Sequence, residues 1–424
     1  MRKQSSRLQF RNPNIEIRNK FELSKRRNDQ NETQPVELFR IFLLRHLVTP
    51  KAVPCSRFLS ELSSSSSSSI LLAFEDDFPA DRSELAVLIS DRESRGVLRG
   101  AIIGFGEVAR HGHWPAYAHS RDAKIVAIVD RTAGRSKVTQ AALPKIATFS
   151  TIEELAAGAE IDFVDICTPP ALHSAPMLDA LARGWNVLCE KPLLLDLAEI
   201  EKAGSLARES GRAVVPVHNW KYAPIVRRAT GMLRAGAIGP LRKVEIETLR
   251  SQDCAVADPD RPNWRRDPAI AGGGVLMDHG WHAIYLARQW FREEPIDVRA
   301  SLHRPATSDA EDEATLTLTF PRGGQAKIFL TWRAEVRRNR MRLIGEQGEI
   351  AIDDDTLNAG GESIRFGSAL SAGSHHPDWF AAMLPDVVAN FRSPETARES
   401  FEEAAFCLSV IRRAYQVSEA GGSE

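Results

Sequence analysis

The stretch that most narrows what this chain can fold into is residues 99–109, RGAIIGFGEVA. Its apolar run Ala101, Ile102 and Ile103 reads as a buried parallel strand. The strand passes straight into Gly104-Phe105-Gly106-Glu107-Val108-Ala109, which fits the G-x-G-x-x-G/A pattern of a dinucleotide-binding turn. Gly104 permits the tight turn, Gly106 lets the backbone approach a pyrophosphate, and Ala109 lets the next helix lie close on the strand. That helix begins near Glu107, so free backbone N–H groups around Phe105 and Val108 make an anion site. Glycine-rich turns are common, and the context carries the weight. A second apolar run, residues 124–129 (KIVAIV), ends in Asp130, 26 residues after Gly104. A carboxylate there suits a ribose 2′-hydroxyl; its competing role is to cap a helix starting near Thr132. Asp130 repels a 2′-phosphate, whereas Arg131 and Arg135 could accept one. The expected cofactor is therefore NAD, with NADP as the alternative.

Composition removes other classes. Lys and Arg number 55 against 56 Asp and Glu, so no long-range field points to nucleic acid or a membrane surface. The five cysteines, Cys55, Cys167, Cys189, Cys254 and Cys407, form no C-x-x-C pair. They read as free thiols of a reducing, cytoplasmic compartment rather than a disulfide framework or zinc ribbon. No apolar run approaches the roughly 18 residues of a membrane span. Residues 1–96 differ from the rest. The first 60 carry 13 Lys or Arg against 5 Asp or Glu, and seven serines follow at 63–69. The segment is expected to be disordered, since it offers little to bury. A targeting leader is the second reading, opposed by Glu16, Glu22 and Asp29. A third is that the product starts just before Val97, as no Met lies between Met1 and Met177.

From Leu98 strands and helices alternate, as in a parallel sheet with crossover helices. Strands are expected at 161–167, 186–189 and 213–217 besides the first two. Helices are expected from Asp130 to about Leu143, at 173–183 up to Gly184, and from the cap Asp196 to Gly211. Thr151 and Glu154 fit a capping box. Six strands in about 120 residues, the five placed here and one unplaced, make a complete nucleotide-binding domain, placed at 97–218. Residues 219–424 read as an α+β domain. A helix at 224–234 and a strand at 242–249 precede a Gly-rich helix start at 272–274. Alternating strands follow at 314–320, 326–332, 341–344 and 349–352, then helices at 377–391 and 394–417. The expected fold class is α/β, a Rossmann domain followed by an α+β domain with a large, open, mostly antiparallel sheet.

Candidate chemistry gathers at strand ends. Lys191 closes a parallel strand, where ligands of open α/β sheets bind, and Pro192 keeps it out of helix. A lysine there offers three donors to a hydroxyl or carbonyl oxygen; alternatively it simply pairs with Glu190. Asp278 and His282, four apart on a helix, share a face. They could hold a vicinal diol and move a proton, form a surface ion pair, or supply two metal ligands. The last lacks a third ligand at sensible spacing: His279 lies off that face and His375-His376 are remote, so no metal is expected. Residues 218–224, HNWKYAP, put Asn219, Trp220, Lys221 and Tyr222 forward as substrate contacts. Trp264 and Arg265 suit a carbohydrate pocket or a surface loop.

Four boxes stand in a telling order: GFGEVA, DICTPPALH (165–173), VLCEKP (187–192) and GGGVLMDHGWH (272–282). Through them, residues 98–417 resemble the Gfo/Idh/MocA oxidoreductases. The resemblance implies that Lys191, Asp278 and His282 are the catalytic lysine, aspartate and histidine of a dehydrogenase. Its substrate would be a secondary alcohol of a sugar, cyclitol or sugar derivative. It also implies that Thr168, Pro169 and His173, with Glu190 and Lys191, border the nicotinamide end of the cofactor. An open second sheet would serve as a homo-oligomer interface, and residues 113–116 would form a structural His-x-Pro-Ala turn. The 218–224 segment departs from the commoner Arg-rich family motif, leaving the substrate open. His282 is favoured as base with Lys191 positioning the substrate oxygen, the reverse staying open. Two alternatives stand beside the dehydrogenase: glycoside cleavage or elimination through transient oxidation, and a non-catalytic NAD-binding sensor, which an intact Lys191, Asp278 and His282 argues against.

Overall fold

The computed structural model describes residues 96–132, 139, 143–251 and 263–421. The basic, serine-rich leader and most of the helix expected after Asp130 lie outside them. The first sheet comprises β1 (Leu98–Ile103), β2 (Ala123–Val129), β3 (Ala147–Phe149), β4 (Phe163–Ile166), β5 (Asn186–Cys189) and β6 (Val214–Pro216). All pair in parallel, in the order β3-β2-β1-β4-β5-β6. The order reverses direction between β1 and β4, the switch point where such sheets open a ligand crevice. β3 has no residue run in the sequence reading. At three residues it is too short to carry a period.

Around this sheet lie α1 (Trp114–His119), α2 (Ile152–Gly158), α3 (Ser174–Ala182) and α4 (Leu197–Ser210). Local chemistry sets their ends. Asp196 accepts from Ala198 N–H and Glu199 N–H, and α4 stops at left-handed Gly211. Thr151 caps Glu154 N–H at 3.2 Å, but the reach-back of Glu154 goes to Ser150 N–H at 2.7 Å.

After α5 (Pro224–Arg234) comes the second sheet. It comprises β7 (Leu241–Leu249), β8 (Asp297–His303), β9 (Glu313–Thr319), β10 (Gln325–Thr331), β11 (Arg338–Gly345), β12 (Glu349–Asp353), β13 (Thr356–Ala359) and β14 (Glu362–Arg365). The order is β14-β13-β12-β11-β7-β10-β9-β8, antiparallel except where β7 pairs with β10. Its strands alternate as half-buried strands should. Val244, Ile246, Met341 and Leu343 face the core. Opposite them Arg342 lies between Glu245 and Glu349, and Arg340 meets Glu247. β13 and β14 have no counterpart in the sequence reading because TLNA and ESIR are too short to show a period, and neither has β8, although DVRASLH alternates through Val298, Ala300 and Leu302.

The core side of this sheet packs on α6 (Trp281–Phe291), whose residues 281–287 are all buried. The chain closes with α7 (Pro377–Arg392) and α8 (Arg398–Gly421). Phe380, Met383, Leu384, Val387, Val388 and Phe391 form one stripe of α7 at helical spacing. That stripe packs against Ile102, Ile128, Phe163, Leu188 and Val215, so α7 belongs to the core of the first sheet.

Candidate active site

Gly104 sits at φ +86°, and a Cβ there would come 2.7 Å from Thr168 Cγ2, so only glycine fits. A Cβ on Gly106 would meet nothing within 4 Å; the turn is open on the side a phosphate would approach. Asp130 is 5% exposed, its Oδ2 accepting Phe105 N–H at 3.1 Å and its Oδ1 accepting Thr132 N–H at 2.8 Å. The acid thus ends a strand and faces the glycine turn. Open backbone and strand-end carboxylate together fit a dinucleotide.

At the ends of β4 and β5 the chain is cross-tied. The Thr168 hydroxyl donates to Leu172 O, and the His173 ring lies between Thr168 O (2.7 Å) and Pro192 O (3.0 Å). His173 has no exposed surface, so it reaches any ligand only through the two turns it joins. Burial lowers its pKa, opposed by the carbonyl oxygens that its ring faces. The Lys191–Pro192 peptide is cis.

Lys191 Nζ donates to Asp278 Oδ1 at 2.6 Å and to Asp278 O at 2.9 Å. Asp278 lies in a π-helical turn, Leu276–Gly280, that leads into α6; such turns recur at functional sites. Burial opposes ionisation of Asp278, but Lys191, His279 and Arg265 outweigh it and hold its carboxyl well below the usual range.

Behind the lysine runs a buried relay. Glu190 Oε2 accepts Lys191 N–H at 3.1 Å, Glu190 Oε1 pairs with His113 Nε2 at 3.0 Å, and His113 Nδ1 pairs with Asp165 Oδ2 at 2.8 Å. The His113 ring stacks on Phe380 of α7 at 3.9 Å. Burial alone would lower the His113 pKa; the charge of Asp165 overrides it and raises it well above normal. Donor atoms of His113, Asp165 and Cys167 come within 4.8 Å of one another. They also lie in contact with each other, Cys167 Sγ being 3.3 Å from His113 Nδ1.

His282, in the first turn of α6, is 5% exposed. Its ring stacks on Trp220 at 4.7 Å, and Nδ1 meets Tyr285 Oη at 2.9 Å, an oxygen that also accepts Trp220 N–H. Among the described residues nothing bonds Nε2, and no hydrogen bond joins His282 to Asp278. Burial, then the Lys191 charge, lowers the His282 pKa well below normal, so the ring is neutral at neutral pH.

Most of the remaining sequence candidates have partners of their own. Lys221 pairs with Glu403, which also takes His218 Nδ1–H at 2.7 Å, while His218 Nε2 accepts Trp281 Nε1–H. Tyr222 donates to Asp386 at 2.7 Å. Arg265 stacks on Trp264 and lies 4.0 Å from Asp278 Oδ2. Asn219 Oδ1 is buried without a partner. Sequence reasoning passed over Arg250, Asn339 and Tyr285. The first two could have been found by parity, because 250 continues the inward series 244, 246, 248, and 339 the series 339, 341, 343.

Comparison with known proteins now bears on this geometry. Residues 98–218 match the oxidoreductase family's NAD-binding Rossmann fold, and residues 226–351 match the GFO/IDH/MocA C-terminal domain. The chain belongs to the Gfo/Idh/MocA oxidoreductase family. The inositol 2-dehydrogenase of Rhizobium meliloti (strain 1021) is 28% identical over 264 residues, 61% of this chain and 76% of that protein. The aldose-aldose oxidoreductase of Caulobacter crescentus, solved with glycerol, superposes with a TM-score of 0.65 at 25% identity, covering 77% of this chain and 98% of its own. GenD2 from gentamicin A biosynthesis, solved with NAD, gives a TM-score of 0.67 at 22% identity over 77% and 95%. As a Gfo/Idh/MocA oxidoreductase, the chain uses its first domain to bind NAD. No described helix is long and apolar enough to cross a membrane.

Proposed function

We propose that the protein oxidises a secondary hydroxyl of a sugar, cyclitol or sugar derivative, with Lys191, Asp278 and His282 as its catalytic residues. The observation that carries this reading is the 2.6 Å contact between Lys191, at a strand end of the NAD-binding domain, and Asp278, one turn before His282. Two of the three ammonium hydrogens go to Asp278 Oδ1 and O, leaving the third for the substrate oxygen. Asp278, held ionised, keeps the ammonium aimed.

His282 takes the hydroxyl proton. Its tautomer is assigned from its partners: Nδ1–H donates to Tyr285 Oη, whose lone pairs also receive Trp220 N–H, and Nε2 keeps a lone pair. Stacking on Trp220 fixes the ring plane. General-base help of this kind is worth about 10²–10⁴-fold in rate. Bound NAD supplies the hydride acceptor. Gly104, Phe105, Gly106, Val108 and Asp130 hold its adenosine and pyrophosphate end, and Thr168, Pro169 and Glu190 border the other.

Dehydrogenases among the relatives, on inositol and on D-glucosides, support the substrate class. The outer, Arg- and Glu-rich face of the second sheet is the surface proposed for self-association. Free buried Cys167, Cys189 and Cys407 support a cytoplasmic setting. The test is a panel of sugars and cyclitols with NAD and NADP, followed at the nicotinamide absorbance band. NADH formation that His282→Ala lowers by about 10²–10⁴-fold is expected; none with any CH–OH substrate, in protein that binds NAD, overturns the reading.

A further inference from the structure

Beside the catalytic groups lies a set of donors that the reaction above does not use. Arg250 is 2% exposed, yet its guanidinium bonds only neutral oxygens: Leu249 O at 2.8 Å, Arg338 O at 3.3 Å and Asn339 Oδ1 at 3.2 Å. Among the described residues no carboxylate forms an ion pair with it. Its Nε–H is buried without an acceptor, and so is the Asn339 Nδ2 group. His279, next to Asp278, buries both ring nitrogens without a hydrogen bond, its Nε2 lying 3.6 Å from Asp278 Oδ2.

Buried polar groups are normally paired, and an unpaired buried cation is among the costliest exceptions. The imbalance has a sign. Arg250 and Asn339 leave only donors unpaired, the Asn339 Oδ1 being taken by Arg250, and neutral His279 adds one donor beside one acceptor. The nearby acids are already engaged, Asp278 by Lys191 and Asp354 by the N–H groups of Asn339 and Ser371 and the Ser371 hydroxyl. Charge points the same way. Burial and then the charge of Arg337 press Arg250 down to about 10. Burial takes His279 to about 3, with Arg250, Lys191 and Arg337 all opposing its protonation.

We infer that the substrate carries an oxyanion, a carboxylate or phosphate on the sugar, received by Arg250, Asn339 and His279 while its reacting hydroxyl lies at Lys191 and His282. This rests on the dehydrogenase reading and narrows it to acidic sugar derivatives. Such a group accepts from several donors at once and forms charge-assisted bonds with Arg.

The test compares kcat/KM for glucose, glucuronate and glucose 6-phosphate, and calorimetric binding of the three to the NADH complex, in wild type, Arg250→Gln and His279→Asn. At least one acidic compound should exceed glucose tenfold or more, glucuronate marking a carboxylate site and the phosphate a phosphate site. The acid-to-neutral ratio should fall at least tenfold in Arg250→Gln and also fall in His279→Asn, which stands in should the Arg250 variant not fold. Equal use of acidic and neutral sugars, or an unchanged ratio in a folded variant, overturns the inference and leaves the dehydrogenase reading standing. Absence of turnover with tight, variant-sensitive binding of an acidic sugar overturns the dehydrogenase reading instead. Neither turnover nor selective binding sinks both.

Discussion

On the parallel-sheet side of the site, His113 bonds Asp165 with one nitrogen and Glu190 with the other, and Glu190 passes the hold to the backbone of Lys191. On the side of the second sheet, Arg250, Asn339 and His279 bury donors that no described group accepts. Both regions are buried and both are rich in charge, so burial alone does not tell them apart. What differs is closure. A closed network specifies a geometry and loses most when one member is removed, because the others stay buried and unpaired. An open one keeps a place for something that arrives later.

The largest effect expected is on chemistry. His282→Ala should lower kcat by about 10²–10⁴-fold with little change in NAD binding, checked by steady-state kinetics beside a cofactor titration. A loss below threefold would remove His282 from the base role. Next, His113→Leu should open the closed side, stranding Asp165 and Glu190 and costing about 3–5 kcal/mol of stability, read from denaturant midpoints. A near-neutral result would mean that the network is ornamental.

Acid should expose the open side. The folded-state pKa of His279 is about 3 and that of His376 about 4, both lowered first by burial. The unfolded chain therefore binds protons below about 6.5 that the native state refuses. Stability contributed this way is complete above that pH and is lost as pH falls toward 4. His279→Asn should flatten the decline by up to about 1.4 kcal/mol per pH unit. His113, shifted upward, works in the other direction. The smallest effect belongs to Tyr285→Phe, which removes the anchor of His282 Nδ1 and should cost about 1 kcal/mol, roughly fivefold in kcat. An unaltered pH profile in that variant would argue against the tautomer assigned to His282.

What could be read from the sequence was local. The glycine turn, Asp130 at the end of its strand, the caps of α2 and α4, and the Glu190-Lys191-Pro192 box each lie within a few residues, where spacing speaks directly to backbone geometry. The partners that orient the site come from far along the chain. Trp220 reaches Tyr285 across 65 residues, and His218 reaches Glu403 across 185, separations at which no periodicity survives. Arg250 and Asn339 are different: their inward parity stands in the sequence, but a charged or amide side chain at a strand end is ordinarily read as solvated. The short β3, β13 and β14 are invisible in the sequence because pairing, not side-chain pattern, creates them, whereas β8 carries its pattern openly in Val298, Ala300 and Leu302.

The apolar stripe of α7 has a consequence for how the molecule is made. Phe380, Phe391 and their neighbours cover a face of the NAD-binding sheet, although they follow its last strand by more than a hundred and fifty residues. A nascent chain cut off after β6 would present bare Phe163, Leu188 and Val215 to water. The NAD-binding sheet can reach its finished form only after α7 has left the ribosome.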